Sequence, residues 1–275
     1  MPFASVNDIT IHYQITGTGP PLVLIAGTGY PGATFRPPFV DELAKRSTVI
    51  TFDHRGTGQS ESSDGPYSTR LFATDCIELC RSIGFESAHF LGHSMGGRVA
   101  QWVALDHPDT VHSLVLAATG PGRYRSDTHF SRGIPVLTAK QMIELGYERY
   151  IADHIAETFF PPRFVEQHPD VVDDLVAAFW ENRPSLEDYL KHIDARQHHQ
   201  TADLLNGITA PCLIMVGDYD TGARGTGSHL EQSEYLAAHL PKARMVVLDG
   251  SSHGFFWQDP TETAVQVADW VEEHN

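Results

Sequence analysis

Along the first 120 residues the hydrophobic positions fall into alternating strand-like and helix-like patterns. Ile9-Thr10-Ile11-His12-Tyr13 alternates between Asn7-Asp8 and Gly17-Thr18-Gly19, which predicts a strand, the second half of a hairpin. Pro21 to Ala26 is an unbroken apolar run, as expected of a strand buried on both faces, and Thr48 to Phe52 is read as the next strand. From Ser68 to Ile83 the spacing turns helical, with Ser68 or Thr69 as cap and Gly84 as stop. Ser87 to Leu91 predicts another strand end. Val99, Trp102, Val103 and Leu105 then return to helical spacing until Pro108. Val111 to Ala118 predicts a further buried strand. Strands alternating with helices imply a mostly parallel sheet with right-handed crossovers.

The rhythm changes at Thr138. From there to about His199 no strand pattern occurs, and helices are predicted over Ala139 to Tyr150 or beyond, Pro162 to Gln167, Val171 to Glu181 and Leu186 to Gln197. Strand patterns resume at Pro211 to Gly217 and Arg244 to Leu248, and Thr261 to Val271 predicts a closing helix. The expected organisation is an α/β core formed by residues 1–122 and 200–275, interrupted after the sixth strand by an all-helical segment, 123–199.

Composition narrows the function. With 41% hydrophobic and 20% charged residues in 275, an ordinary buried core is expected. A net charge of −16 argues against a nucleic acid partner, whose phosphates would be repelled. Three cysteines without a C-x-x-C pair make no disulfide framework. The N-terminus has neither a basic region nor an apolar run, and no apolar stretch approaches a membrane span, so a soluble cytoplasmic protein is expected. Sixteen histidines invite a metal reading, but no H-E-x-x-H occurs and His198-His199 are adjacent, so no metal site is expected.

Two glycine-rich motifs carry candidate chemistry. Gly92-His93-Ser94-Met95-Gly96 matches G-x-S-x-G between a predicted strand and a predicted helix, the context of a nucleophile elbow. Such a turn exposes the serine hydroxyl above the sheet and puts the helix N-terminus, with its free N–H groups, beneath the reacting centre. Gly27-Thr28-Gly29-Tyr30-Pro31-Gly32 spells G-x-G-x-x-G, with Asp53 downstream, and so raises dinucleotide binding. Against that reading, Pro31 and Pro37-Pro38 interrupt the place where a helix would have to start from the glycines, and a hairpin precedes the strand. Asp53 also leads into a turn-rich segment, so no cofactor is expected.

The elbow, with its flanking strand and helix, resembles that of the α/β-hydrolase superfamily, and the resemblance extends over nearly the whole chain. Ala26-Gly27-Thr28 is similar to the family's His-Gly-X segment, with Ala26 in place of the histidine, which implies Thr28 and Met95 as the backbone donors of an oxyanion hole. Asp53-His54-Arg55-Gly56-Thr57-Gly58-Gln59-Ser60 resembles the family's D-x-R-G-x-G-x-S loop. It is read as structural, with Arg55 bonding backbone carbonyls and His54 in a scaffold role. The family order of serine, acid, histidine implies His253, in the loop after the last strand, as the base. For the acid, Gly217-Asp218-Tyr219-Asp220 offers two residues. The family pattern favours Asp220, while Asp218 stays open, and the glycine-rich stretch 222–228 predicts a mobile loop. His229 and His239 are read as loop histidines bonded to backbone.

The helical insert resembles the family's cap, which roofs the pocket with aromatics such as Phe159, Phe160, Trp180 and Tyr189. Overall the chain looks most like the 3-oxoadipate enol-lactonase-like and small carboxylesterase group. This implies hydrolysis of a small ester or lactone through an acyl-enzyme on Ser94, without cofactor or metal. The alternatives are a carbon–carbon bond hydrolase or perhydrolase on the same triad, or a receptor-like binding protein with little turnover.

Overall fold

A computed structural model of the protein describes residues 2–124, 134–220 and 228–275. In chain order its elements are β1 (Phe3–Val6), β2 (Ile9–Thr16), β3 (Pro21–Ile25), α1 (Pro37–Ala44), β4 (Thr48–Phe52), α2 (Thr69–Ser82), β5 (Ala88–His93), α3 (Met95–Asp106) and β6 (Val111–Ala117). Five helices follow: α4 (Ile134–Leu145), α5 (Tyr147–Phe159), α6 (Pro162–Gln167), α7 (Pro169–Glu181) and α8 (Leu186–Gln197). The chain then returns to β7 (Cys212–Gly217), α9 (His229–His239), β8 (Ala243–Leu248), α10 (Phe255–Gln258) and α11 (Pro260–Glu273).

The strands form one eight-stranded sheet in the order β1-β2-β4-β3-β5-β6-β7-β8. Only the β1–β2 and β2–β4 pairings are antiparallel; every pairing from β4 to β8 is parallel. Alternation along the buried strands explains the two layers of core. Leu22, Leu24, Val115 and Met215 face one side, where Phe39 of α1 and Val267 of α11 cover them. Val23, Ile25, Leu116 and Ile214 face the other, against Phe72 of α2, Val99 of α3 and Leu236 of α9. Cys76 and Cys80 lie buried in this second core with free thiols. Because β3, β5, β7 and β8 run parallel, the loops that follow them gather at one edge of the sheet. Among the described residues no helix is long and apolar enough to cross a membrane.

Several elements differ from the sequence expectation, each for a local reason. Pro37 and Pro38 open α1 rather than preventing a helix, because a proline at the first helical positions lacks only an N–H that would be unsatisfied anyway. The predicted helix from Ala139 through Tyr150 is two helices: Gly146 takes φ 85°, a left-handed backbone that ends α4 and starts α5. Helix α9 starts at a reciprocal capping box between Ser228 and Glu231, a Ser-x-x-Glu signature that the apolar spacing alone did not reveal. Of the glycine-rich stretch 222–228, where a mobile loop is expected, residues 222–227 lie outside the described residues and Ser228 caps α9.

The loop after β4 is held by its own polar groups. The Asp53 carboxylate accepts from the Gly32 and Gln59 amides at 2.8 and 2.9 Å and lies 2.9 Å from His12 Nδ1, tying three segments together. Arg55 does not bond backbone carbonyls as expected. Its guanidinium donates to both oxygens of the buried Asp75 on α2, at 2.7 and 2.6 Å, and to Ser63 Oγ at 2.8 Å. A planar fork matches a carboxylate better than separate carbonyls, and an Asp on the buried face of α2 supplies it. His54 is buried against Phe52 and Phe72 with Nε2 3.3 Å from the Ala26 carbonyl, in the scaffold.

Candidate active site

Ser94 sits between β5 and α3 with φ 56° and ψ −116°, a conformation that a residue with a side chain rarely adopts. Its surroundings hold it there. The Ser94 amide donates to the Ala117 carbonyl at 2.8 Å, and the Ser94 carbonyl accepts from Thr119 Oγ1 at 2.6 Å. The turn closes only over small neighbours. A Cβ at Gly92 would lie 2.2 Å from the Gly96 oxygen, and one at Gly96 would lie 2.0 Å from the Ile25 oxygen. A side chain at either position would force β5, α3 and β3 apart. The loop after β3 passes close by: a Cβ built on Gly27 would be 3.4 Å from Ser94 Cβ. Among the described residues neither the Thr28 amide nor the Met95 amide has a backbone acceptor. Two donors are thus free beside the serine.

Further along the same edge of the sheet, β7 and β8 deliver the other two groups. Asp220 is buried in the turn after β7, and its Oδ2 lies 2.8 Å from His253 Nδ1, in the loop after β8. Asp218 takes no part in this contact. Its Oδ1 accepts from the Ser251 amide at 3.2 Å, bracing the neighbouring loop. With Nδ1–H given to Asp220, a neutral His253 carries its lone pair on Nε2. Ser94 and His253 line one cavity of about 300 Å³, with no hydrogen bond between their side chains among the described residues. The cavity runs between the sheet edge and the helices inserted after β6. Phe159, at the end of α5, sets its ring edge-on to His253 at 5.0 Å and accepts from the Gly254 amide at 2.7 Å. Tyr189 of α8 also lines it. Phe160 stacks instead on Phe164 and Trp180 packs beside Tyr147, so two of the four aromatics face the cavity and two hold the helices together.

The residue that sequence reasoning missed is His229. It is buried in the first turn of α9, not in a loop, and its Nδ1 lies 2.7 Å from Asp220 Oδ1. Its ring stacks on His253 at 4.6 Å. Asp220 therefore receives one imidazole on each oxygen. Burial alone would raise the Asp220 pKa, but the two histidines outweigh it and hold the carboxyl far below its ordinary range. For His229 burial wins, and its pKa is lowered despite Asp220. Among the described residues these three side chains bring imidazole nitrogens and a carboxylate oxygen within 4.8 Å of one another, and their 2.7 and 2.8 Å contacts are hydrogen-bond distances. The Ser-x-x-Glu box before α9 was the available signal for the position of His229.

Three other buried histidines, His93, His192 and His54, lie around the site in their neutral form. His93, next to the serine, lies with Nε2 2.9 Å from the His253 carbonyl, and burial beside His253 lowers its pKa to about 3. His192 of α8 bridges the loops, with Nε2 2.9 Å from the Arg55 carbonyl and Nδ1 accepting from the Gly29 amide at 3.3 Å. Burial, with His54 nearby, lowers His192 to about 3. Burial lowers His54 to about 4, and does the same to His89, which lies away from the cavity near the start of β5 beside Ser113.

Stability should follow from these histidines. Each binds no proton in the folded protein near pH 5, whereas an unfolded histidine, with a pKa of about 6.5, binds one. The unfolded state therefore takes up more protons as pH falls, so stability is full above about pH 6.5 and is lost progressively toward the folded values. The contributions of these rings add, so the dependence on pH should be steep near pH 5. Asp220 adds its own loss only below about pH 4, the ordinary carboxyl range. Urea midpoints should be flat from pH 8 to 7 and fall steeply below pH 6. A midpoint unchanged down to pH 5 would contradict the neutral, buried state of these rings.

Comparison with known proteins bears on this geometry. The model of the alpha/beta hydrolase fold family matches residues 20–260. The RutD protein of Azorhizobium caulinodans, assigned as a carbamate hydrolase, is 32% identical over 257 residues, covering 93% of this chain and 92% of its own. RutD of Caulobacter vibrioides is 31% identical over 260 residues, 91% of each chain. Among solved structures, the enol-lactonase from Burkholderia xenovorans LB400 superposes with a TM-score of 0.84 at 26% identity, covering 98% of this chain and all of that one (100%).

Proposed function

The chain belongs to the α/β-hydrolase fold family, and from that premise we propose that it is a serine hydrolase cleaving small carboxylic esters or lactones through an acyl-enzyme on Ser94. The observation that carries the proposal is Ser94 on a strained strand-to-helix turn, sharing a cavity with a histidine whose other ring nitrogen is held by a buried aspartate. His253 Nε2 takes the serine proton as Ser94 Oγ attacks the carbonyl carbon. The carbonyl oxygen becomes an oxyanion held by the Thr28 and Met95 amides. As the carbon–oxygen bond to the leaving group breaks, His253 returns the proton to the departing alkoxide. Water then attacks the acyl-enzyme with His253 again as base, and Ser94 is regenerated. Asp220 fixes the tautomer of His253 and stabilises the imidazolium formed in each half. We assign residues 123–199 to a cap that roofs this cavity, in the light of the cavity walls contributed by α5 and α8.

A second reading is hydrolysis of a carbamate by the same groups, favoured by the two RutD relatives. A carbamate carbonyl is less electrophilic than an ester, so the chemistry differs in rate rather than in machinery. Purified protein assayed against aryl esters, small lactones and aryl carbamates should turn over an ester or lactone at least tenfold faster than any carbamate. The reverse order would favour the carbamate reading. Binding without turnover of any of the three would instead support a receptor-like protein.

A further inference from the structure

The loop that carries the Thr28 amide is short and tightly wound. The Gly27 carbonyl accepts from the Tyr30 amide at 3.2 Å, and Gly29 takes φ 71°, the pattern of a type II turn with Thr28 and Gly29 at its centre. In a trans peptide the carbonyl of one residue and the N–H of the next point in opposite directions. The bond from Tyr30 therefore sets the plane of the Gly27–Thr28 peptide, and with it the direction of the Thr28 N–H. The next plane, Thr28–Gly29, is set from outside the loop. Its N–H donates to Nδ1 of His192, on α8, at 3.3 Å.

Helix α8 is fitted to this turn. A Cβ built on Gly29 would lie 2.4 Å from the Tyr189 ring, and Tyr189 and His192, three residues apart, share one face of the helix. His192 is buried, and its Nε2 donates to the Arg55 carbonyl at 2.9 Å. With its proton on Nε2, the neutral ring offers a lone pair at Nδ1. Burial, with His54 nearby, keeps it neutral. The helix is fastened to the core beside this contact. Asp188 accepts from Ser62 Oγ at 2.6 Å and from Tyr67 Oη at 2.9 Å, both in the segment after β4. Just before α8, the Asn182 carbonyl accepts from the Gly58 amide at 3.0 Å. These bonds fix where His192 stands relative to the turn.

We propose that His192 is a positioning residue of the oxyanion hole: by holding the Gly29 peptide it aims the Thr28 amide at the developing oxyanion. This rests on the assignment of Ser94 as nucleophile. A type II turn converts to type I by a flip of its central peptide, which swings ψ of the residue before that peptide through roughly 150°. Glycine at position 29 can adopt either form. A flip here would turn the Gly29 N–H away from His192 and reshape the backbone at Thr28. It would also leave the Nδ1 of a buried ring without a donor, so the bond locks the turn in one form. A donor fixed before the charge develops stabilises it without having to reorganise. The inserted helix α8 thus contributes to the rate as well as to the cavity wall, although His192 touches no reacting atom.

Two substitutions separate the two ring nitrogens. His192→Gln places an amide nitrogen near the position of Nε2, which keeps the bond to Arg55 but cannot accept from Gly29. His192→Asn places an oxygen near the position of Nδ1, which keeps the acceptor and gives up the bond to Arg55. In hydrolysis of an aryl ester, His192→Gln should lower kcat by about 10- to 100-fold with KM within roughly threefold, a smaller loss than removing an oxyanion donor outright. His192→Asn should recover to within about fivefold of the wild type, since the acceptor for Gly29 is restored. Affinity for an alkyl trifluoromethyl ketone, whose carbonyl adds the serine to give a tetrahedral oxyanion, should fall in step with kcat. Equal losses in the two variants, as a merely structural histidine would give, overturn the proposal. So does a loss confined to KM, or a Gln variant as fast as the wild type. If either variant fails to fold, the wild type decides by nitrogen-15 NMR of its histidine rings. His192 should carry its proton on Nε2, with Nδ1 coupled across the hydrogen bond to the Gly29 amide nitrogen; a proton on Nδ1 overturns the proposal. A wild type that cleaves no ester and takes up no fluorophosphonate overturns the hydrolase reading instead.

Discussion

Asp220→Asn should lower kcat by a factor on the order of 10⁴, while Asp218→Asn should lose no more than a few-fold. The first figure follows from what a triad carboxylate does: it fixes the proton of the base on Nδ1 and stabilises the imidazolium in the transition state. An amide in its place can present N–H to His253 and impose the wrong tautomer. The structure makes this variant more disruptive still, because Asp220 serves two imidazoles, at 2.7 and 2.8 Å, and an amide oxygen can satisfy only one Nδ1–H. Among the described residues the Asp218 carboxylate accepts from the Ser251 amide, at 3.2 Å, and not from His253, so its loss should loosen the loop without touching the base. Steady-state kinetics on an aryl ester, with circular dichroism to establish folding, will rank the two. Near-equal rates in both variants would mean that the carboxylate at 2.8 Å from His253 does not act in turnover.

The sheet was legible because its strands are continuous apolar runs, and a run such as Pro21 to Ala26 has no soluble alternative. The elbow was legible because close packing leaves room for glycine alone at 92 and 96, which writes the turn into the letters. What escaped depends on distant parts of the chain. Nothing local ties Arg55 to Asp75, twenty residues on along α2. His229 looks like any surface histidine until α9 turns it against β7 and Asp220. The choice between Asp218 and Asp220 likewise turns on where β8 places His253. Helix α1 was missed for a different reason, since prolines were read as breakers where they act as starters.

Everything proposed about the chemistry rests on Ser94 as the nucleophile, and covalent trapping tests that directly. A fluorophosphonate transfers its phosphonyl group to an activated serine hydroxyl and releases fluoride, so one adduct per chain should appear by intact mass. Peptide mapping should locate it on Ser94. The strained turn and the free Thr28 and Met95 amides are what make this hydroxyl, among all the serines of the chain, accessible to attack and able to stabilise the resulting tetrahedral centre. Ser94→Ala should abolish the adduct and lower ester turnover by a factor on the order of 10⁴ to 10⁶, leaving only what an oxyanion hole can do with water. An adduct that maps to Ser94 and vanishes in the alanine variant is the predicted result. Labelling that persists in Ser94→Ala, or that maps to another residue, would contradict the account.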